Sequence, residues 1–254
     1  MLILMKPFDQ PFFSIIVPTF NEEKNPFFLK TLESFSHPDL KGQVELIITD
    51  RCSTDLTQQI AQNHGALVIK TQENSRAGRL NIGYQQANGK IIFFHHPRST
   101  IDIEALHYIK NNYDFISWGG LTHTFDLENS LLQFTSWYSN NVRGKLKQIL
   151  YLDHCIFFRK DLFHKQYKNK LPLPIVDIFE DSFLSLRLQS LGDITILPFK
   201  SLTSSIRFHS NGIWKQSLMN QWLKIAFYLE LPLGTMNKVY EKGLSLNSQY
   251  KNDT

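Results

Sequence analysis

A chain of 254 residues that is 42% hydrophobic and 13% aromatic has enough apolar material for one sizeable core. Its net charge of +4, without any dense Lys/Arg run, favours anionic ligands such as nucleotide phosphates and falls short of a nucleic-acid-binding signature. Two cysteines, Cys52 and Cys155, cannot build a disulfide framework and suit a reducing cytoplasm.

The opening MLILMKPFDQ lacks the basic stretch and the length of a secretory signal, and no segment reaches the ~20 apolar residues of a spanning helix. The expectation is a cytoplasmic protein, peripheral at most at the inner face of the membrane. Ser14-Ile15-Ile16-Val17, stopped by Pro18, predicts a buried strand. Asn25-Pro26 reads as an N-cap with proline at the first helical position, and Phe28, Leu29, Leu32 and Phe35 behind it share one apolar face. Residues 44–49 (VELIIT) form a second strand, 50–57 a polar turn into a helix closed at Gly65, and 66–70 a third strand. Ala77, Leu80, Tyr84 and Ala87 predict a helix over 76–88 ended by Gly89, and 91–94 is a fourth strand.

This alternation, with short connections, implies parallel strands and right-handed crossovers, with ligands bound outside the carboxyl ends of the strands. Three polar segments follow those ends: 19–23, 50–57 and 95–100. The second half is less regular. It offers a helix over 103–109, strands at 115–118 and 155–158, a helix over 181–191 ended by Gly192, and a strand at 194–197. A long helix over 212–229 carries Trp214, Leu218, Trp222, Ile225 and Leu229. It reads either as a core helix closing this half or as one lying on a membrane with Lys215 and Lys224 at the rim. We expect one domain over 12–242, with halves 12–105 and 106–242, and a flexible tail over 243–254.

Five blocks in order, SIIVPTFNEE (14–23), ITDRCSTDLT (48–57), RAGRLNIGYQQANGKIIFFH (76–95), FEDSFLSLRLQSLG (179–192) and TSSIRFHSNGIWKQSLMNQWLKIAFYLELP (203–232), resemble the family 2 glycosyltransferases of GT-A fold. The likeness is to short soluble bacterial members without transmembrane helices. It implies an α/β fold with a mainly parallel open sheet flanked by helices, a Rossmann-like nucleotide-binding half and an acceptor-binding half. It also implies a hexosyltransferase-type activity, inverting, from a UDP- or GDP-linked sugar to an acceptor hydroxyl.

The resemblance places Pro18, Thr19, Glu22 and Asp50 at the nucleotide, with Asp50 taking the N3–H of a uracil. Arg76 and Asn81 open a helix suited to phosphate. Asp181, beside Glu180, becomes the general base. Asp153 and His154 line the acceptor side, and Arg207 faces phosphate. Ser53 and Asp55 read as an N-cap and a first-turn acid.

The departure lies after the fourth strand. There the family carries Asp-x-Asp or a single Asp that holds Mg²⁺ or Mn²⁺, and this chain reads His95-His96-Pro97-Arg98-Ser99-Thr100. Histidines are poor ligands for those hard cations, and adjacent ones on an extended segment point to opposite sides. Two readings follow. Arg98 replaces the metal at the diphosphate, or the protein keeps the nucleotide-sugar pocket and has lost catalysis.

Overall fold

The computed structural model of the protein describes residues 10–176 and 178–242; the tail expected over 243–254 lies outside the described residues. Eight strands, β1 (Phe13–Thr19), β2 (Val44–Asp50), β3 (Leu67–Lys70), β4 (Ile91–Phe94), β5 (Ser99–Ile101), β6 (Trp118–Phe125), β7 (Ile156–Arg159) and β8 (Ile194–Thr203), form one sheet in the order 3-2-1-4-7-6-8-5. The helices are α1 (Pro26–Phe35), α2 (Thr57–Asn63), α3 (Arg76–Gln86), α4 (Glu104–Asn111), α5 (Ser130–Tyr138), α6 (Lys160–Tyr167), α7 (Glu180–Leu188), α8 (Ile206–Asn211), α9 (Ile213–Tyr228) and α10 (Leu233–Lys242). β3, β2, β1 and β4 pair in parallel; β7 then runs antiparallel between β4 and β6, and β6 pairs in parallel with β8.

The strand period of two divides the core. Phe13, Ile15 and Val17 face one layer with Phe28, Leu32, Leu106 and Ile109, so α1 and α4 cover that side of the sheet. Ile16, Ile92 and Phe94 face the other, with Leu80, Phe163, Leu184 and Leu188 from α3, α6 and α7. Full burial of one such side chain contributes about 1.5–3 kcal/mol. A third cluster, with Ile178, Phe179, Leu223, Ala226 and Met236, ties α9 and α10 to the start of α7.

The first half follows the sequence closely. Asn25 caps α1, its side chain accepting from the Phe27 amide at 3.0 Å. The second half departs from it. The strand expected at 115–118 is β6, shifted to 118–125, because Gly119 and Gly120 permit a close approach that an apolar-run search overlooks. A Cβ on Gly119 would stand 1.8 Å from the Thr195 carbonyl oxygen of β8. The strand expected at 194–197 continues to Thr203, and α5, α6, α8 and α10 were not anticipated. α9 presents two faces: Gln216, Asn220 and Leu223 line the cleft described below, while Trp214, Leu218, Trp222, Ile225 and Leu229 are exposed. Lys224 is on the cleft side rather than at a membrane rim, 5.3 Å from the Tyr138 ring centroid. No helix among the described residues is long and apolar enough to cross a membrane.

Candidate active site

The carboxyl ends of β1, β2 and β4 open onto a cleft of about 540 Å³, closed on the far side by α5, the 150–153 segment, the start of α7 and α9. A short lattice of side chains builds its donor-side floor. Ser53 Oγ accepts from the Asn21 amide at 2.8 Å and donates to Asp50 at 2.5 Å. Thr57 Oγ1 accepts from the Glu22 amide at 2.7 Å, and the Asp55 carboxylate accepts from the Glu23 amide at 3.2 Å. Ser53 and Asp55 therefore lace the β1 loop to the β2 loop. Ser53 does not cap α2, whose N-cap position is Leu56, and Asp55, two residues ahead of the helix, accepts from the amide of its first residue, Thr57, at 3.0 Å.

Asp50 is the main correction on this side. It is fully buried, stands outside the cleft wall and accepts four hydrogen bonds, from Thr19 Oγ1 (2.8 Å), the Ser53 amide (2.7 Å), Ser53 Oγ (2.5 Å) and Gln58 Nε2 (2.6 Å). A carboxylate has about four acceptor sites, so none is left for a base N3–H. Thr19 is likewise buried and spent on Asp50. The residue β2 offers to the cleft is Arg51, whose guanidinium carbon lies 4.9 Å from the centroid of Phe20. Pro18 and Glu22 do line the cleft. Burial raises the pKa of Glu22 against the pull of Arg98, and Asn25 Nδ2 donates to it at 2.9 Å.

α3 starts at Arg76 because Ser75 caps it, accepting from the Gly78 amide at 3.0 Å. Arg76 pairs with Glu180; burial opposes its charge, but Glu180 and Asp181 outweigh that and raise its pKa. Arg79, one turn on, shares the cleft wall. Burial, Arg76 and Arg51 push it down to about 10, and its buried Nε has no hydrogen-bond partner among the described residues. The three-residue spacing from Arg76 is the sequence signal that could have revealed it. Asn81, expected at the nucleotide, is buried away from the cleft and exchanges two bonds with the Leu173 backbone, at 2.8 and 3.1 Å. It anchors the segment leading to α7.

After β4 the two histidines diverge. His95 is fully buried against Phe35, with no partner for either ring nitrogen among the described residues, and burial pushes it down to about 3. His96 lines the cleft with Nδ1 accepting from the Arg98 amide at 3.1 Å. Burial and then Arg76, Arg98 and Arg207 hold it well below the usual imidazole range. Neutral and accepting at Nδ1, it carries its proton on Nε2. Arg98 and Arg207 line the same wall, Arg207 donating to the Tyr240 hydroxyl.

A resident Mg²⁺ or Mn²⁺ does not fit here. No carboxylate stands after β4, three guanidiniums surround the position, and among the described residues no three His, Cys, Asp or Glu side chains are grouped to hold a metal. Arg51, Arg76, Arg79, Arg98 and Arg207 instead supply the local positive charge.

On the acceptor side, Glu180 and Asp181 occupy the first turn of α7, buried, in the cleft wall. Asp181 accepts from the Leu152 amide (3.2 Å) and the Ser182 amide (2.8 Å). Burial and the adjacent Glu180 push its carboxyl up to about 7, against Arg76 and Arg143. Asp153 faces the cleft. His154 does not: it is buried, its Nδ1 accepting from the Tyr151 amide at 3.3 Å and its Nε2 3.4 Å from Ser139 Oγ. His123, on β6, lines the cleft in its place.

The fold and site define an α/β protein whose parallel strands open at their carboxyl ends onto an arginine-rich cleft, with buried carboxylates at the start of α7 in the same cleft. Residues 14–165, more than half of the chain, match the family model described as Glycosyl transferase family 2, and the chain belongs to that family. It is 34% identical over 101 residues to the poly(ribitol-phosphate) beta-N-acetylglucosaminyltransferase TarS of Staphylococcus aureus, covering 37% of this chain and 17% of that protein. It is 36% identical over 111 residues to a dolichyl N-acetyl-alpha-D-glucosaminyl phosphate 3-beta-D-2,3-diacetamido-2,3-dideoxy-beta-D-glucuronosyltransferase of Methanococcus voltae, covering 40% and 32%. The matched region thus spans less than a third of either relative. Among solved structures, TarS of S. aureus in complex with UDP-GlcNAc superposes with a TM-score of 0.57 at 20% identity, over 76% of this chain and 58% of that one. The mannosyltransferase PcManGT of Pyrobaculum calidifontis in complex with GDP-Man and Mn²⁺ gives 0.59 at 16%, over 95% and 78%. These likenesses show the fold, a mixed α/β arrangement with a mainly parallel sheet flanked by helices.

Proposed function

We infer that the protein transfers a sugar from a nucleotide diphosphate sugar to an acceptor hydroxyl, with inversion, and that arginines take the place of the divalent cation at the diphosphate. The observation that carries this reading is the position of Asp181: a buried carboxyl, pushed up to about 7, in a cleft that Arg76, Arg79, Arg98 and Arg207 also line. Negative charge grows on the leaving diphosphate as the anomeric bond breaks, and preorganised guanidiniums stabilise it there. Asp181, ionised, takes the acceptor proton as the hydroxyl oxygen attacks the anomeric carbon. Arg76 has two tasks: it pairs with Glu180, which would otherwise repel the ionised Asp181, and it faces the phosphates.

Asp153 and His123 flank the acceptor position. The alternative reading, a silent nucleotide-sugar-binding protein, is favoured by the missing carboxylate after β4. Retention of Glu180 and Asp181 in the cleft favours transfer. The test is turnover of a panel of nucleotide sugars with EDTA present. We expect metal-independent turnover that Asp181→Asn lowers by about a thousandfold, with donor affinity retained. Strict dependence on Mn²⁺ would sink the arginine substitution; donor binding without turnover, unaltered by Asp181→Asn, would establish the silent reading.

A further inference from the structure

The donor-side wall presents hydrogen-bond donors where a base would lie. Asp50, the acidic residue at the end of β2, has all its acceptor sites filled from within and stands behind the wall. The chain then turns at Cys52, which is left-handed with φ of 47°, and the Arg51 amide donates to the Thr19 carbonyl at 3.0 Å. Both constraints fix the backbone that carries Arg51. Its guanidinium lies over the Phe20 ring, 4.9 Å from the centroid, and both side chains line the cleft. Arg79 lies near enough for the two cations to repel, and its buried Nε has no partner among the described residues. Arg79 Nη1 is held by the Glu73 and Asn74 carbonyls, at 3.4 and 3.1 Å, so Arg51 is the donor-only group the end of the cleft adjoining β1 and β2 offers to a ligand.

From this the geometry points to Arg51 as the residue that selects the donor's base, by a bidentate bond to two adjacent acceptors on one base edge; this rests on the donor-site reading above. A guanidinium has no acceptor, and its parallel N–H groups satisfy a pair of neighbouring acceptor atoms. Guanine offers such a pair at O6 and N7, and cytosine at O2 and N3. Uracil separates its two carbonyls by the N3–H donor, and adenine sets its N7 beside an amine. The base the site fits is therefore guanine or cytosine, its acceptor edge turned to the Arg51 guanidinium that Phe20 backs. A uridine nucleotide meets the wrong edge.

Calorimetric titration of the full chain with GDP, CDP, UDP and ADP tests this. We expect GDP or CDP to bind at least about tenfold more tightly than UDP and ADP, the discrimination a good bidentate pair supplies. Which of the two leads decides between purine and pyrimidine. Arg51→Asp should shift the order towards UDP, because a carboxylate accepts the N3–H. Arg51→Lys, a milder change, should flatten the order while the melting temperature of the free protein stays within a few degrees of wild type. UDP bound as tightly as GDP and CDP by the wild type, or an order that both variants leave unchanged, overturns the inference alone. If the wild type binds none of the four, the donor-site reading falls, and this inference falls with it.

Discussion

Asp50 and Asp181 are both buried aspartates at the border of the same cleft, one under the donor side and one on the acceptor side. Asp50 is surrounded by four donors drawn from three segments of chain, so its carboxyl group is fixed in place and joins the end of β1 to the β2 loop. Asp181 accepts two backbone amides, shares its helical turn with Glu180, and is held towards its protonated form. Asp50, with its acceptor sites filled, is a fastener; Asp181, with fewer donors and Glu180 beside it, suits the proton-accepting role proposed above.

The sharpest way to break that contrast is to titrate it. With Asp181 ionising at about 7, kcat/KM should fall about a hundredfold from pH 8 to pH 5, tenfold for each unit below that value, and Asp181→Asn should abolish this limb. Stability should move the other way. The folded state holds the Asp181 proton above the ordinary carboxylate range, so between roughly pH 4 and 7 it binds more protons than the unfolded chain, and stability falls as pH rises through that window. The melting temperature of wild type minus that of Asp181→Asn, followed against pH, reads this directly. A flat difference would place Asp181 outside the role argued for it.

Next in size is Asp50→Ala, which strands the Thr19 and Ser53 hydroxyls, the Ser53 amide and the Gln58 side-chain amide. About 3 kcal/mol should be lost, read from the urea midpoint. Asp50→Ala should act on folding first, and a variant that stays fully stable but loses nucleotide affinity would return Asp50 to the base site. The smallest effect belongs to Asn81→Ala. It removes two bonds to the Leu173 backbone and should cost about 1–2 kcal/mol, with any change in turnover arising through the looser 171–176 segment ahead of α7. A selective loss of nucleotide affinity at unchanged stability would contradict the anchoring role.

The first half was legible because its elements announce themselves locally. β1, β2 and β4 are apolar runs, Asn25-Pro26 is a start signal, and the segments after the strand ends pointed to the cleft before any coordinates. β6 was misplaced because it opens with Trp118-Gly119-Gly120, whose first glycine serves backbone contact with β8, more than seventy residues away, and whose second makes room for Leu150 and His154. The same limit applies within the site. Asp153 and His154 look equivalent along the chain, yet a single 3-10 turn, Leu152–His154, sends one to the cleft and the other to the interior. Arg51 replaces Asp50 at the wall by one step along the backbone, and no pattern of residue types states which of two neighbours faces out. Glu22, Arg76, Arg98, Glu180 and Asp181 were found in sequence, and the structure brings all five to one cleft.

The Asn25 side chain has a consequence for how such a protein can be altered. Besides capping α1 it donates to Glu22 at 2.9 Å and to the Pro97 carbonyl at 2.8 Å. One amide is thus the common tether of the loop after β1 and the loop after β4. Neither loop is a separate module: a graft that imports one without its mate severs the tether and leaves a buried carboxylate and a buried carbonyl unmatched. The smallest exchangeable part on this face is both loops with Asn25 between them, together with the β2 loop that Ser53, Asp55 and Thr57 lace to the first.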